Sequence, residues 1–185
     1  NKAVKYFKKA ISLYQITGSK NGLAYCYNSL GIAYTSIKSI DKFTKYAKAN
    51  HYFQKSLEIF EELEDKIGMV SPLINLSDLN ISLGNYKKSI YFSEKVLNII
   101  SKTGGLLSKS ITYNNLSIAY DSLQNKQKAL IYYRLYKQTN DSIYNLEKNK
   151  KINELQLKYE DSKREQELNE KKSRIIVLEQ IEKAD

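Results

Sequence analysis

Few side chains in this sequence have the type for catalysis or ligation, and none has the company such chemistry requires. His51 is the one histidine of the 185 residues, and a metal centre needs several converging ligands. No second ligand accompanies it, and it lacks the surroundings expected of a phosphate-accepting histidine, so it reads as a packing or surface residue. Cys26, the one cysteine, has no basic neighbour to hold a thiolate and no partner for an internal disulfide. It reads as a buried, inert thiol. Gly104-Gly105 is an isolated turn pair and not a phosphate-cradling loop. The acidic run Glu58, Glu61, Glu62, Glu64, Asp65 reads as a solvated helix end and not a cation site. These residues predict no catalytic group, no metal and no cofactor. What does recur is asparagine, in YNSLGIAY at Tyr27–Tyr34 and again in YNNLSIAY at Tyr113–Tyr120. An amide both donates and accepts, so it can pair with a peptide backbone whatever the side chains of that peptide.

The elements that must carry these amides are helical. A single Pro and seven Gly leave few breakers, and 42% hydrophobic residues suffice for a core. No apolar run reaches a membrane span, and NKAVKYFKK opens directly in an amphipathic pattern and not in a signal peptide. Charge divides the chain. Residues 1–140 hold 20 Lys/Arg against 9 Asp/Glu, whereas residues 141–185 hold 10 against 11. That change places a boundary near Asn140.

Two ladders run along the basic part. Leu30, Leu76 and Leu116 are separated by 46 and 40 residues, and Ala3, Ala49, Ser89 and Ala129 by 46, 40 and 40. Around the second set, Ala3-Phe7-Ala10, Ala49-Phe53-Ser56, Ser89-Ser93-Val96 and Ala129-Tyr133-Tyr136 each show the spacing of one helix face. The ladders agree if six extra residues sit between Tyr34 and Ala49, where Ile37, Ile40, Phe43 and Tyr46 read as a longer hairpin tip. Gly22 and Gly68, each eight residues before a ladder leucine, are expected to stop the preceding helix. Pro72 is expected in a first turn.

The pattern Leu30-Gly31…Tyr34, then Ala49…Phe53…Ser56, resembles the tetratricopeptide repeat, a helix A–turn–helix B unit. Leu116-Ser117…Tyr120 with Ala129…Tyr133…Tyr136 repeats it. The middle copy departs, with Asn80 and Ser93 in aromatic positions, but keeps Gly84 and Tyr86 at its turn. The resemblance implies an all-α solenoid: a half repeat over residues 1–22, then repeats over about 23–67, 68–107 and 108–140. One such unit cannot bury its face alone, so neighbours stack. A chain opening on a lone helix B is expected to show exposed apolar surface there.

If the ladder leucines face helix B, residues two before and after them turn toward the groove of the A helices. These are Asn28 and Ile32, Ile74 and Asp78, Asn114 and Ile118, with Thr35, Ile81 and Asp121 a turn further. Asn75 and Asn115 directly precede their leucines, where related peptide-binding repeats carry Asn. Asn28, Asn75, Asp78, Asn114, Asn115 and Asp121 are therefore the candidate groove for a protein or peptide partner. Two roles fit the amides equally, contacting a peptide or bridging adjacent helices. Lys is missing from these positions, so capture of a C-terminal carboxylate is not supported. Nucleic acid is not expected either: the tyrosines occupy packing positions, the lysines scatter, and Arg, which base reading favours, is scarce.

Residues 141–185 form a separate texture without Pro or Gly. Glu precedes Lys or Arg by four at 154/158, 160/164, 167/171, 170/174 and 179/183, at about 0.2–0.5 kcal/mol per pair. A long charged helix follows. Ile152, Leu155 and Tyr159 make one apolar seam, and Leu168, Ile175, Leu178 and Ile181 another. Ser162, Gln166 and Asn169 break any heptad between them, leaving room for a coiled-coil homodimer without requiring one. An array followed by such a helix is similar to the sensor region of bacterial signalling proteins, histidine kinases among them. That resemblance implies a noncatalytic sensing module, favours a periplasmic over a cytoplasmic setting, and contrasts with a free-standing scaffold or adaptor.

Overall fold

In the computed structural model, which describes residues 2–38, 40–101 and 105–182 (side chains to 166, and at 168, 169 and 171), the fold is all-α. Seven helices occupy the described residues: α1 (Lys2–Thr17), α2 (Lys20–Thr35), α3 (Lys42–Glu62), α4 (Val70–Ser82), α5 (Tyr86–Ile100), α6 (Leu106–Ser122) and α7 (Lys126–Glu182). No strand occurs among these residues. The chain divides into two compact units, residues 1–140 and residues 141–185.

In the first unit α2, α4 and α6 are the A helices of the repeats. α3, α5 and the start of α7 are B helices, and α1 is a B helix packed on α2. Consecutive A helices touch, α2 with α4 and α4 with α6. Leu30, Leu76 and Leu116 are fully buried, as are Ala49, Ser56, Ser89 and Val96 of the second ladder. Each large apolar side chain so buried contributes about 1.5–3 kcal/mol. Pro72 is the third residue of α4, where its missing N–H costs no helical bond.

The helix stops differ from the expectation. Gly22 lies inside the first turn of α2, and Gly68 lies in the turn before α4, five residues past the cap of α3. The left-handed residues that end helices are Gly18 (φ +69°) and Glu64 (φ 53°), and Gly84 (φ +75°) and Gln124 (φ 60°). Each pair is one repeat length apart. After each, the next N–H reaches back to a carbonyl five residues earlier: Ser19 to Tyr14, Asp65 to Phe60, Asn85 to Asn80, Asn125 to Tyr120 (2.8–3.1 Å). This is the Schellman closure. Gly22 and Gly68 are small for another reason. A Cβ on either would enter the ring of Tyr14 or Phe60, themselves 46 residues apart.

The tyrosines repeat as a stack. Tyr52 of α3 lies between Tyr27 and Tyr34 of α2, with centroids 6.0 and 5.5 Å away and planes within 20°. Tyr132 lies likewise between Tyr113 and Tyr120, at 6.2 and 5.6 Å. Lys55 and Lys48 cover the outer rings Tyr27 and Tyr34, both at 5.3 Å, and Lys128 covers Tyr120 at 4.9 Å. Offset stacks and cation–π contacts each add to plain burial. The middle repeat holds Leu73 and Asn80 at the flanking positions, and Asn80 Nδ2 donates back to Leu76 O (2.7 Å).

Of the six extra residues, about half lengthen the connection between α2 and α3 and the rest add a turn to the start of α3. Asp41 caps α3 by accepting from Thr44 N at 2.8 Å. Ile37, Ile40 and Tyr46 pack on the core, whereas Phe43 stays exposed.

In the second unit every described side chain from Tyr144 to Gln166 is exposed, including the seam Ile152, Leu155, Tyr159. The ion pairs formed among its described residues are Lys151–Glu154 and Asp161–Arg164, both 3.9 Å and three residues apart. They replace the four-residue pairs expected at 154/158 and 160/164. The pairs at 167/171, 170/174 and 179/183, and Ile175, Leu178 and Ile181 of the second seam, fall outside the described side chains. No helix of the described residues is long and apolar enough to cross a membrane.

Candidate partner-binding surface

The A helices bring some of the candidate groove residues together and separate others. Asn28 of α2 and Asn75 of α4 meet. Asn28 Nδ2 donates to Ser71 Oγ (3.1 Å), and Asn28 Oδ1 accepts from Asn75 Nδ2 (2.8 Å). Asn28 is buried, and both ends of its amide are used between helices. Asn115 of α6 is buried too, and its Nδ2 donates to Ser77 Oγ of α4 (3.3 Å). All three amides thus make hydrogen bonds between helices.

Asp78, Asn114 and Asp121 stand apart from that bridge. Asp78 is exposed on α4, yet partial desolvation holds its carboxyl above the usual carboxylate range. Asn114 is half-buried on α6. Asp121 closes the turn between α6 and α7 through an exposed ion pair with Lys126 (2.7 Å). Ile32 and Ile118, expected in the groove, are exposed at 44% and 40%.

The residue-by-residue expectation misses a recess. Where the start of α4, the end of α5 and the start of α6 converge, a cavity of about 490 Å³ is lined by Val70, Ile74, Ile100, Leu107 and Ile111 with Asn75 among them. Leu107 is 65% exposed. The signal lay in Leu107 and Ile111, four apart on one face of an A helix and outside the leucine ladder. An apolar hollow with an amide in its wall suits one apolar side chain of a partner.

The serines of the middle repeat were also missed as a group. Ser77 occupies the place of Gly31, and Ser93 that of Phe53. Ser77 Oγ bonds Ser93 Oγ (2.7 Å) and Ser89 Oγ (2.9 Å), so a buried polar knot fills the space that Phe53 fills over Gly31. Among the described residues no group of His, Cys, Asp and Glu is placed to hold a metal ion. Burial raises the Cys26 thiol, which disfavours the reactive thiolate. His51 is exposed and meets Tyr52 edge-on at 5.2 Å.

Comparison with known proteins agrees with this architecture. A family model described as the tetratricopeptide repeat matches residues 69–136, and this stretch carries repeats of that type. The crystal structure of BtubC (BKLC) from P. vanneervenii is similar with a TM-score of 0.64 and 20% identity, over 76% of this chain. The chain spans 56% of that protein's length. That likeness is one of fold. No curated protein matches the sequence.

Proposed function

We propose that the first unit is a noncatalytic protein-interaction module whose A-helix face receives an extended segment of a protein partner, with one apolar side chain seated in the recess between α4 and α6. The observation that carries this reading is the recess itself, open beside Leu107 and edged by Asn75. Apolar burial there supplies affinity. The groups left for orientation are the exposed Asp78 and the half-buried Asn114, because Asn28, Asn75 and Asn115 already bond within the protein. Panning a phage-displayed library of random short peptides against the chain tests it. Enriched peptides are expected to share an apolar anchor and to lose binding to Leu107→Asp. Equal enrichment on Leu107→Asp would sink the assignment.

The finer role follows from the resemblance of the whole arrangement: the sensor region of a bacterial signalling protein, a two-component histidine kinase in particular, with the charged helix leading to an output module. Supporting it, one helix, α7, contains both the last B helix and the charged segment. A parent gene encoding a membrane span and a kinase core would bear this out. A parent gene with neither points to the free-standing scaffold instead.

A further inference from the structure

The middle repeat departs from its neighbours at the place where they set a tyrosine ring. In the repeat before it, Tyr27 stacks on Tyr52 at 6.0 Å, and Lys55 lies over the Tyr27 ring at 5.3 Å. In the repeat after it, Tyr113 stacks on Tyr132 at 6.2 Å. Along the two ladders the middle repeat has Leu73 in place of Tyr27 and Tyr113, Phe92 in place of Tyr52, and Lys95 in place of Lys55. Lys95 lies instead over Tyr91 of its own helix, at 4.9 Å. A cavity of about 390 Å³ opens here, lined by Lys66, Met69, Leu73, Lys95, Asn98 and Ile99. It shares no lining residue with the recess beside Leu107. Its charge is one-sided. Lys20, the counterpart of Lys66, is paired with Glu62 at 2.9 Å, and Glu58 is the counterpart of Asn98. The cavity itself is lined by two lysines, an amide and no acid, and neither lysine forms an ion pair among the described residues.

We propose that this cavity binds a small aromatic carboxylate. The ring takes the place that Tyr27 and Tyr113 fill in the flanking repeats, against the half-buried Met69 and Ile99 and above the buried Leu73. A thioether such as that of Met69 favours an aromatic neighbour. Lys66 and Lys95 supply the positive charge that holds the carboxylate, and the Asn98 amide can donate to it. The cavity lies at the small end of ligand sites, which suits one ring with a short acidic arm and not a run of peptide. A plain hydrocarbon would leave both ammonium groups unanswered, and a bare anion would leave the apolar wall unfilled.

The probe is naphthoate, whose fluorescence is easily read against a chain without Trp. Saturable binding to the full chain is expected, with a dissociation constant below about 1 mM. Lys66→Gln/Lys95→Gln should weaken it at least about tenfold, and so should replacing the probe with neutral naphthamide. Leu73→Tyr, which restores the ring of the flanking repeats, should abolish it. Lys66 is exposed and Lys95 half-buried, so the double lysine variant should keep the circular dichroism melt of the parent even where Leu73→Tyr does not fold. Leu107→Asp, in the other recess, should bind the probe as the parent does. Absence of saturable binding overturns the proposal, as does naphthamide binding as tightly as naphthoate. So does an equal loss in Lys87→Gln/Lys88→Gln, which removes two exposed charges elsewhere on α5. Undiminished binding to Lys66→Gln/Lys95→Gln with loss in Leu107→Asp would seat the probe in the other recess, and that overturns it too.

Discussion

Gly31 and Phe53 form one size-matched pair, and Ser77 with Ser93 forms the corresponding pair one repeat on. A Cβ on Gly31 would lie 2.5 Å from Phe53 Cε1, inside any tolerable contact. The ring fills the crossing of α2 and α3 because the glycine leaves it room. In the middle repeat a Cβ is present and the ring is gone, and hydroxyls bonded at 2.7 and 2.9 Å take up the space. Gly31→Ala is therefore expected to destabilise the chain by about 1–3 kcal/mol, the cost of overpacking a filled core. Urea unfolding measures it. A loss below that range would mean that α2 and α3 can separate at no cost.

At the scale of the helix pair, the stacked tyrosines make stability depend on alkaline pH. Burial, followed by the neighbouring Tyr34, raises the Tyr52 hydroxyl above its usual 10.0, and burial does the same at Tyr132. A hydroxyl with a higher pKa in the folded chain keeps its proton longer there than in the unfolded chain. Its contribution is fully present below about pH 10 and is lost as pH rises through the folded value. The thermal midpoint should therefore fall more steeply above pH 10 for the parent chain than for Tyr52→Phe/Tyr132→Phe. That double variant keeps both stacks and removes both protons. Matching slopes would show that the two hydroxyls titrate freely.

For the molecule as a whole, the charge change near Asn140 and the division into compact units coincide at the same residue. We propose that residues 1–140 fold alone. A chain ending at Asn140 should melt cooperatively within about 4 °C of the full chain, a shift worth at most about 1–2 kcal/mol. A broad or strongly lowered melt would show that the array draws its stability from the charged helix.

The all-α class, the repeat length and the ladder residues could be read directly from the letters, because each repeat must bury the same face and so repeats the same spacing. Leu30, Leu76 and Leu116 announce themselves in this way. The helix ends were less legible. Glu64 and Gln124 adopt the left-handed caps that glycine takes at Gly18 and Gly84, so a search for glycine missed half of them and misassigned Gly22 and Gly68. Spacing put the asparagines on the A helices and left two roles open for them, since an amide pairs equally well with a peptide or a neighbouring helix. Asn28, Asn75 and Asn115 bond across helices 38 to 47 residues apart in sequence, and contacts of that range depend on distances that only the stacked repeats define. The recess between α4 and α6 has the same origin: it belongs to the gap beside a helix, and no single helix encodes it.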